Sequence, residues 1–269
     1  MIDANVQLKY KLHYLSRFGR LARGCVGWLL FSLLFACQSD TVRRHDFLIQ
    51  GIDVSRYQAE VNWDTIAAQG MHFAFVKATE GATHADQYFE QNWQALREAG
   101  LRRGAYHFYR PRTSPVAQAD FFVSKISLVE GDLPPVLDVE VLDGIHPTTL
   151  VTNVKTWLRL IERRYGVQPI VYTNLSFYNK HLAGHLEDYP LWIARYGREK
   201  PVLACGRDWQ FWQYGSRGLL GGIAGYVDFN VFAGGWEDLD RMTYQGEDIL
   251  SRSLTRANSP RPQTSGAAR

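Results

Sequence analysis

The sequence predicts a single α/β domain whose strands close into an irregular, TIM-like β/α barrel. Three observations predict it. Apolar runs of strand length recur through residues 47–240, helix-length amphipathic runs separate them in the first half, and several runs end on acidic or aromatic residues. Strands that alternate with helices build parallel sheets, and parallel barrels gather their chemistry where strands end and loops begin.

The elements follow in order. Phe47 to Val54 reads as a first strand ending near Asp53, and Val61 to Gln69 as a short helix stopped by Gly70. His72 to Lys77 is a second strand, and Ala85 to Ala99 an amphipathic helix closed by Gly100. Gly104 to Tyr109 is a third strand and Val116 to Ser127 a helix; Leu133 to Glu140, opened by a Pro pair, is the fourth strand. Thr148 to Tyr165 is the longest helix, with Leu150, Val154, Trp157, Leu158 and Ile161 on one face and Gly166 at its end. Strands five to eight are expected at Gln168–Thr173, Leu191–Tyr196, Asp208–Tyr214 and Tyr226–Val231, with little helix between them. That shortage of helix is why the barrel is expected to be irregular.

A chain of 269 residues suits one large domain with extra ends. Its net charge of +3 is misleading, because both ends are basic. Residues 1–37 hold five basic residues and one acid, and residues 250–269 hold four Arg and no acid, so the body keeps 21 basic against 26 acidic residues. A body near −5 does not present a nucleic-acid surface. With Cys25 and Cys37 in the first segment, Cys205 stands alone in the body, so no disulfide framework is expected. His146, His181 and His185 show no metal-ligand spacing, and neither a metal nor a cofactor is expected.

Residues 1–37 read as an export signal: basic residues through Arg23, then an apolar run from Val26 to Cys37. That run is too short for a permanent membrane span. Its end, Leu34-Phe35-Ala36-Cys37, resembles a bacterial lipobox, which implies lipidation at Cys37 and a membrane anchor; Gln38 after it would favour the outer membrane. Simple secretion and an uncleaved anchor are the alternatives. Residues 38–46 are expected to be a linker and residues 241–269, rich in Ser, Arg, Pro and Thr, a disordered tail.

The expected rim carries the chemistry. Asp138 and Glu140 lie two apart on a strand, so they share a face, and each raises the energy needed to ionise the other. A glycoside-cleaving enzyme needs one protonated acid beside one carboxylate, whereas a structural strand end does not. Asp53, Glu80 and Asp228 end other strands, which makes four strands directing acids toward one rim. His107, Tyr109, Tyr172, Trp192 and Gln213 are candidate substrate contacts beside them, although packing explains each one separately.

The runs G-I-D-V-S (Gly51–Ser55), F-V-K-A-T-E-G (Phe75–Gly81), G-A-Y-H-F-Y (Gly104–Tyr109), P-V-L-D-V-E (Pro135–Glu140), L-W-I-A-R-Y (Leu191–Tyr196), W-Q-Y (Trp212–Tyr214) and V-D-F-N-V-F (Val227–Phe232) occur in that order. Together they resemble glycoside hydrolase family 25, the Chalaropsis-type muramidases. The resemblance implies hydrolysis of the β-1,4 bond between N-acetylmuramic acid and N-acetylglucosamine. It makes Glu140 the general acid, Asp138 its assisting carboxylate, and Asp53 and Asp228 further acids of the cleft. The expectation is that Glu140 rests neutral and Asp138 ionised, in a monomer whose partner is a peptidoglycan strand. Two other readings stay open: a non-catalytic peptidoglycan-binding lipoprotein of the envelope, and a chitinase-like hydrolase.

Overall fold

The strand runs are rich in β-branched and aromatic residues and are buried on both faces, so each must pack against something on either side. A closed sheet wrapped in helices satisfies that demand, and the computed structural model of the protein shows one. It describes residues 40–43 and 45–246. The expected export signal, with Cys37, and the expected tail beyond residue 246 lie outside the described residues.

The strands are β1 (Ile49–Val54), β2 (Phe73–Glu80), β3 (His84–Ala85), β4 (Arg102–Phe108), β5 (Val136–Asp138), β6 (Ile170–Asn174), β7 (Leu191–Ala194), β8 (Phe211–Gly218) and β9 (Val227–Phe232). The helices are α1 (Trp63–Ala68), α2 (Phe89–Glu98), α3 (Pro115–Val123), α4 (Pro147–Tyr165) and α5 (Trp236–Met242). Around the barrel the strands run β1, β2, β4, β5, β6, β7, β8, β9 and back to β1. All neighbours are parallel except β9, which is antiparallel to both β8 and β1. The two-residue β3 hangs antiparallel on the end of β2, outside the ring.

The irregularity expected of the second half is present. Between β6 and β7 there is only a helical turn at Leu175–Phe177 running into a π turn at Tyr178–Leu182, and β8 returns directly into β9. The reversal at β9 was not expected. It has a consequence for the site, because the first residues of β9 lie on the rim where the parallel strands end.

Alternation along each strand separates two cores. Ile49, Phe73, Phe75, Val136, Ile170, Tyr172, Trp192, Ala194, Phe211 and Phe232 fill the barrel interior. Their neighbours in sequence, such as Ile52, Ala74, Leu137, Val171, Ile193, Trp212 and Val231, face the surrounding helices. Two strand glycines make room inside. A Cβ on Gly51 would come within 2.4 Å of the Phe73 ring, and one on Gly104 within 2.5 Å of Phe75. The aromatic floor that results includes Phe75 stacked on Trp192, with ring centroids 4.4 Å apart.

α4 packs outside the barrel, against α3 and over His107 of β4. It starts on Pro147 with the His146 ring accepting from the Thr148 N–H, and it stops at Gly166, whose φ of 68° is the left-handed end that glycine accepts freely. Its buried stripe runs from Leu150 to Tyr165, and Trp157 on it stacks on His107 with centroids 5.6 Å apart.

Both expected flanks are partly docked. Asp40, in the segment expected as a linker, bridges to Gly218, and its carboxylate accepts from the Arg217 N–H at 2.7 Å. Arg43 lies over the Trp212 ring at 4.6 Å. At the other end the Tyr244 N–H donates to the Asp132 carbonyl at 2.7 Å, and Thr243 is buried. A flank of low apolar content is still held where backbone groups pair and a cation meets an aromatic face.

Candidate active site

Four acids meet at the rim. Asp53 is the fifth residue of β1, Asp138 the last of β5, and Asp228 the second of β9. Glu140 follows β5 by two residues, just past a Val139 N–H that still bonds to the Tyr172 carbonyl at 2.9 Å. The expectation that Asp228 ends the last strand is corrected. It begins β9, and the antiparallel run sets it directly opposite Asp53 in the β1–β9 register.

Beneath the acids lies a hydrogen-bonded network. One Asp53 oxygen, Oδ2, accepts from Gln213 Nε2 at 2.8 Å and from Asn230 Nδ2 at 2.7 Å. Gln213 Oε1 in turn accepts from the hydroxyls of Tyr172 at 2.8 Å and Tyr196 at 3.2 Å. Asn230 Oδ1 accepts from Trp192 Nε1 at 2.8 Å. Every amide orientation follows from these partners, since each amide nitrogen meets a carboxylate and each amide oxygen an O–H or N–H. Trp192 and Gln213 are each 2 % exposed and Tyr172 is 7 %. They hold the acids from below and do not offer an open sugar platform.

The electrostatics divide the acids into two pairs. Burial pushes the Asp138 carboxyl well above the usual range, and the Glu140 charge beside it pushes further. Glu140 is raised too, again by burial, against the lowering effects of its hydrogen bond to Asp138 and of the Lys77 ammonium. Two neighbouring carboxyls that are both raised favour holding a proton between them, and the deeper Asp138 is raised further. Burial thus raises the carboxyl expected to rest ionised as well as the one expected to rest neutral. Asp53 and Asp228 repeat the pattern. Burial and then the Asp228 charge raise Asp53 well above the usual range, while Asp228 is pushed up to about 6, chiefly by burial.

Glu80 does not join either pair. It accepts from Lys77 Nζ at 2.6 Å and from Arg110 Nε at 2.8 Å, and although its partial burial acts the other way, these two cations bring it down to about 2. Lys77 and Arg110 also flank the Phe108 ring, at 5.1 and 4.7 Å. His107 and Tyr109 lie on the helix side of β4, away from the interior. His107 is fully buried between Thr79 Oγ1, at 2.7 Å from Nδ1, and Gln118 Oε1, at 3.1 Å from Nε2. Tyr109 is equally buried in the outer core.

Three residues absent from the expected set belong to the site. Tyr106 packs against the interior cluster and feels the charges of Asp53 and Asp138, so it is the rim residue of β4. Alternation would have found it, because Gly104 and Tyr106 share the face opposite His107. Asn230 stands two residues from Asp228 and was open to the same argument. Lys77 had a weaker signal, its spacing to Glu80 in a bulged strand. Among the described residues no cluster of His, Cys, Asp and Glu could hold a metal ion.

A β/α barrel with paired carboxyls gathered at the rim of its strands is suited to glycoside hydrolysis. The sequence profile of Glycosyl hydrolases family 25 matches residues 52–223, and the chain belongs to that family. Lysozyme M1 of Streptomyces globisporus is 37% identical over 204 residues, covering 69% of this chain and 68% of its own. The protein YegX of Escherichia coli strain CFT073 is 43% identical over 198 residues, covering 72% of each chain. Among solved structures, a family 25 glycosyl hydrolase from Bacillus anthracis superposes with a TM-score of 0.71 at 32% identity, over 77% of this chain and 97% of the other. The expected fold, family and enzyme class therefore stand.

Proposed function

We propose that the enzyme is a peptidoglycan muramidase, cleaving the β-1,4 bond between N-acetylmuramic acid and N-acetylglucosamine. The observation that carries this is the Asp138–Glu140 pair, a buried carboxyl at the end of β5 with a half-buried one two residues on, at the mouth of the barrel. Relatives named lysozyme and N,O-diacetylmuramidase support the substrate.

Glu140 is half-buried and lies nearer the opening than Asp138, which is 5 % exposed. The shared proton passes from Asp138 to Glu140 along their hydrogen bond as the sugar seats, and Glu140 gives it to the glycosidic oxygen. Asp138, now ionised, accepts from the acetamido N–H of the muramic acid and turns the acetamido oxygen toward the anomeric carbon. A C–O bond forms there as the glycosidic C–O bond breaks. Water then attacks the anomeric carbon, regenerates the acetamido group and gives a proton back to the Glu140 carboxylate. The two carboxyls lie two residues apart at the end of β5, close for flanking a sugar bond from opposite faces, which favours substrate assistance over the two-carboxylate scheme. Lys77 keeps the pair from holding two protons, and the Asp53 network holds the opposite wall.

A lipoprotein of the envelope that only binds glycan would not need two proton-sharing pairs, and a chitinase-like enzyme would act on chains without muramic acid. Incubation with purified peptidoglycan and with chitin separates the three. Reducing ends from peptidoglycan, on muramic acid residues by mass and first released as the β-anomer by NMR, are expected. Products from chitin alone, or none from either, would overturn the proposal. Export to the envelope fits such a substrate, and the lipidation of Cys37 is tested by labelling with a radioactive fatty acid.

A further inference from the structure

Directly after β1 the chain makes a 3-10 turn at Arg56–Gln58, three residues from Asp53 on the same rim. The turn is held from several sides. The Ser55 and Gln58 side chains cap it reciprocally, Gln58 Nε2 donates to the Tyr226 carbonyl at 3.1 Å, and the buried Asp86 carboxylate accepts from the Arg56 N–H at 2.9 Å. A side chain on such a turn is displayed from a fixed base.

What the turn displays is a cation on an aromatic face. The Arg56 guanidinium lies over the Tyr57 ring, 5.0 Å from its centroid, and Tyr57 is 76 % exposed. Arg56 Nη2 donates to the Tyr57 hydroxyl at 3.2 Å, and Nη1 lies 3.1 Å from His84 Nε2 on β3. Arginine can only donate, so this His84 nitrogen is the acceptor. Neither partner is a carboxylate. Among the described residues no carboxylate lies within ion-pair distance of Arg56, whereas Lys77 and Arg110 on the same side are occupied by Glu80. Arg56 is exposed and its guanidinium keeps further N–H groups for an incoming anion, and its planar fork suits a carboxylate.

Peptidoglycan supplies such an anion beside the glycan. In the intact polymer the lactyl carboxyl of muramic acid is tied up in the amide link to the stem peptide, so the free carboxylates belong to the stem. We propose that Arg56, seated on Tyr57 and braced by His84, forms a rim subsite for a free carboxylate of the stem peptide. This assignment rests on the muramidase reading above. It gives the rim a charge preference that glycan contacts alone would not produce.

The test compares two substrates, soluble stem-bearing glycan strands and the same strands with their peptide carboxylates converted to amides. With wild-type enzyme kcat/KM is expected to favour the unmodified strands about fivefold, mostly through KM, because an exposed ion pair contributes modestly. High salt is expected to shrink that ratio. Arg56→Met is expected to bring the ratio near one, and Arg56→Lys, which keeps the charge and loses the fork, to fall between. Thermal melting of both variants checks that the exposed substitutions leave the fold in place. A wild-type ratio near one, or an unchanged ratio in Arg56→Met, would overturn the subsite while leaving the muramidase reading intact. Failure of the wild type to cleave either form would instead overturn the muramidase reading, and the subsite with it.

Discussion

Asp53 on β1 and Asp228 on β9 sit directly opposite one another in an antiparallel register, where burial and then the Asp228 charge raise the Asp53 carboxyl well above the usual range. Gln213 and Asn230 both donate to one oxygen of Asp53, so its other oxygen is the one open to a proton. Burial thus favours the neutral acid at Asp53, with Asp228 beside it.

Replacing Asp53 tests this. Asp53→Ala leaves two buried amide donors without an acceptor and is expected to destabilise the fold by about 2–5 kcal/mol. Asp53→Asn offers an oxygen to both amides and an N–H to Asp228, so it is expected to recover most of that loss. Urea unfolding of the two variants is the check, and equal destabilisation would mean that Asp53 is ionised.

Stability should also depend on pH in a defined direction. A carboxyl whose folded value lies above its unfolded one binds more protons when folded, so its contribution is present at low pH and is lost as pH rises through the folded value. For Asp228 that window runs from about 3.8 to about 6. Glu80 works oppositely, since its contribution is present above 4.5 and is lost as pH falls toward about 2. The melting temperature is expected to decline between pH 4 and 6, and Asp228→Asn to flatten that decline. A wild-type melting temperature that rises across this interval would contradict the assignment.

Lys77 and Glu80 should move the activity profile in opposite directions. The Lys77 charge lowers both Asp138 and Glu140, so Lys77→Met is expected to shift the alkaline limb of kcat upward by roughly half a pH unit. Glu80→Gln leaves the ammonium less neutralised and is expected to shift that limb downward. Rate profiles on soluble glycan strands from pH 4 to 9 would show both shifts. Shifts of the same sign would mean that the Lys77 charge does not set the protonation of the Asp138–Glu140 pair.

The sequence made the barrel legible because strand-length runs and amphipathic helices obey different periods, and those periods survive in residues such as Leu150, Val154 and Trp157. Asp53, Asp138 and Glu140 were legible because they close apolar runs, and Asp228 because it sits inside one. Direction was not legible. In Gly104–Tyr109 four ring-bearing side chains follow one another, and the titratable ring of His107 turns to the helix side, whereas Tyr106 faces the interior. The reversal of β9 was hidden, since a strand pattern reads the same in either direction. The stronger rise of Asp138 was hidden as well, because depth of burial is a property of the folded barrel and not of the Asp-Val-Glu spacing.

The role of Glu140 is decided by the turnover of purified peptidoglycan by Glu140→Gln beside the wild type, with circular dichroism and melting showing the fold unchanged. Loss of a positioned general acid is expected to lower kcat by about 10²–10⁴-fold. Turnover within about threefold of the wild type would contradict the assignment of Glu140 as the residue that protonates the glycosidic oxygen.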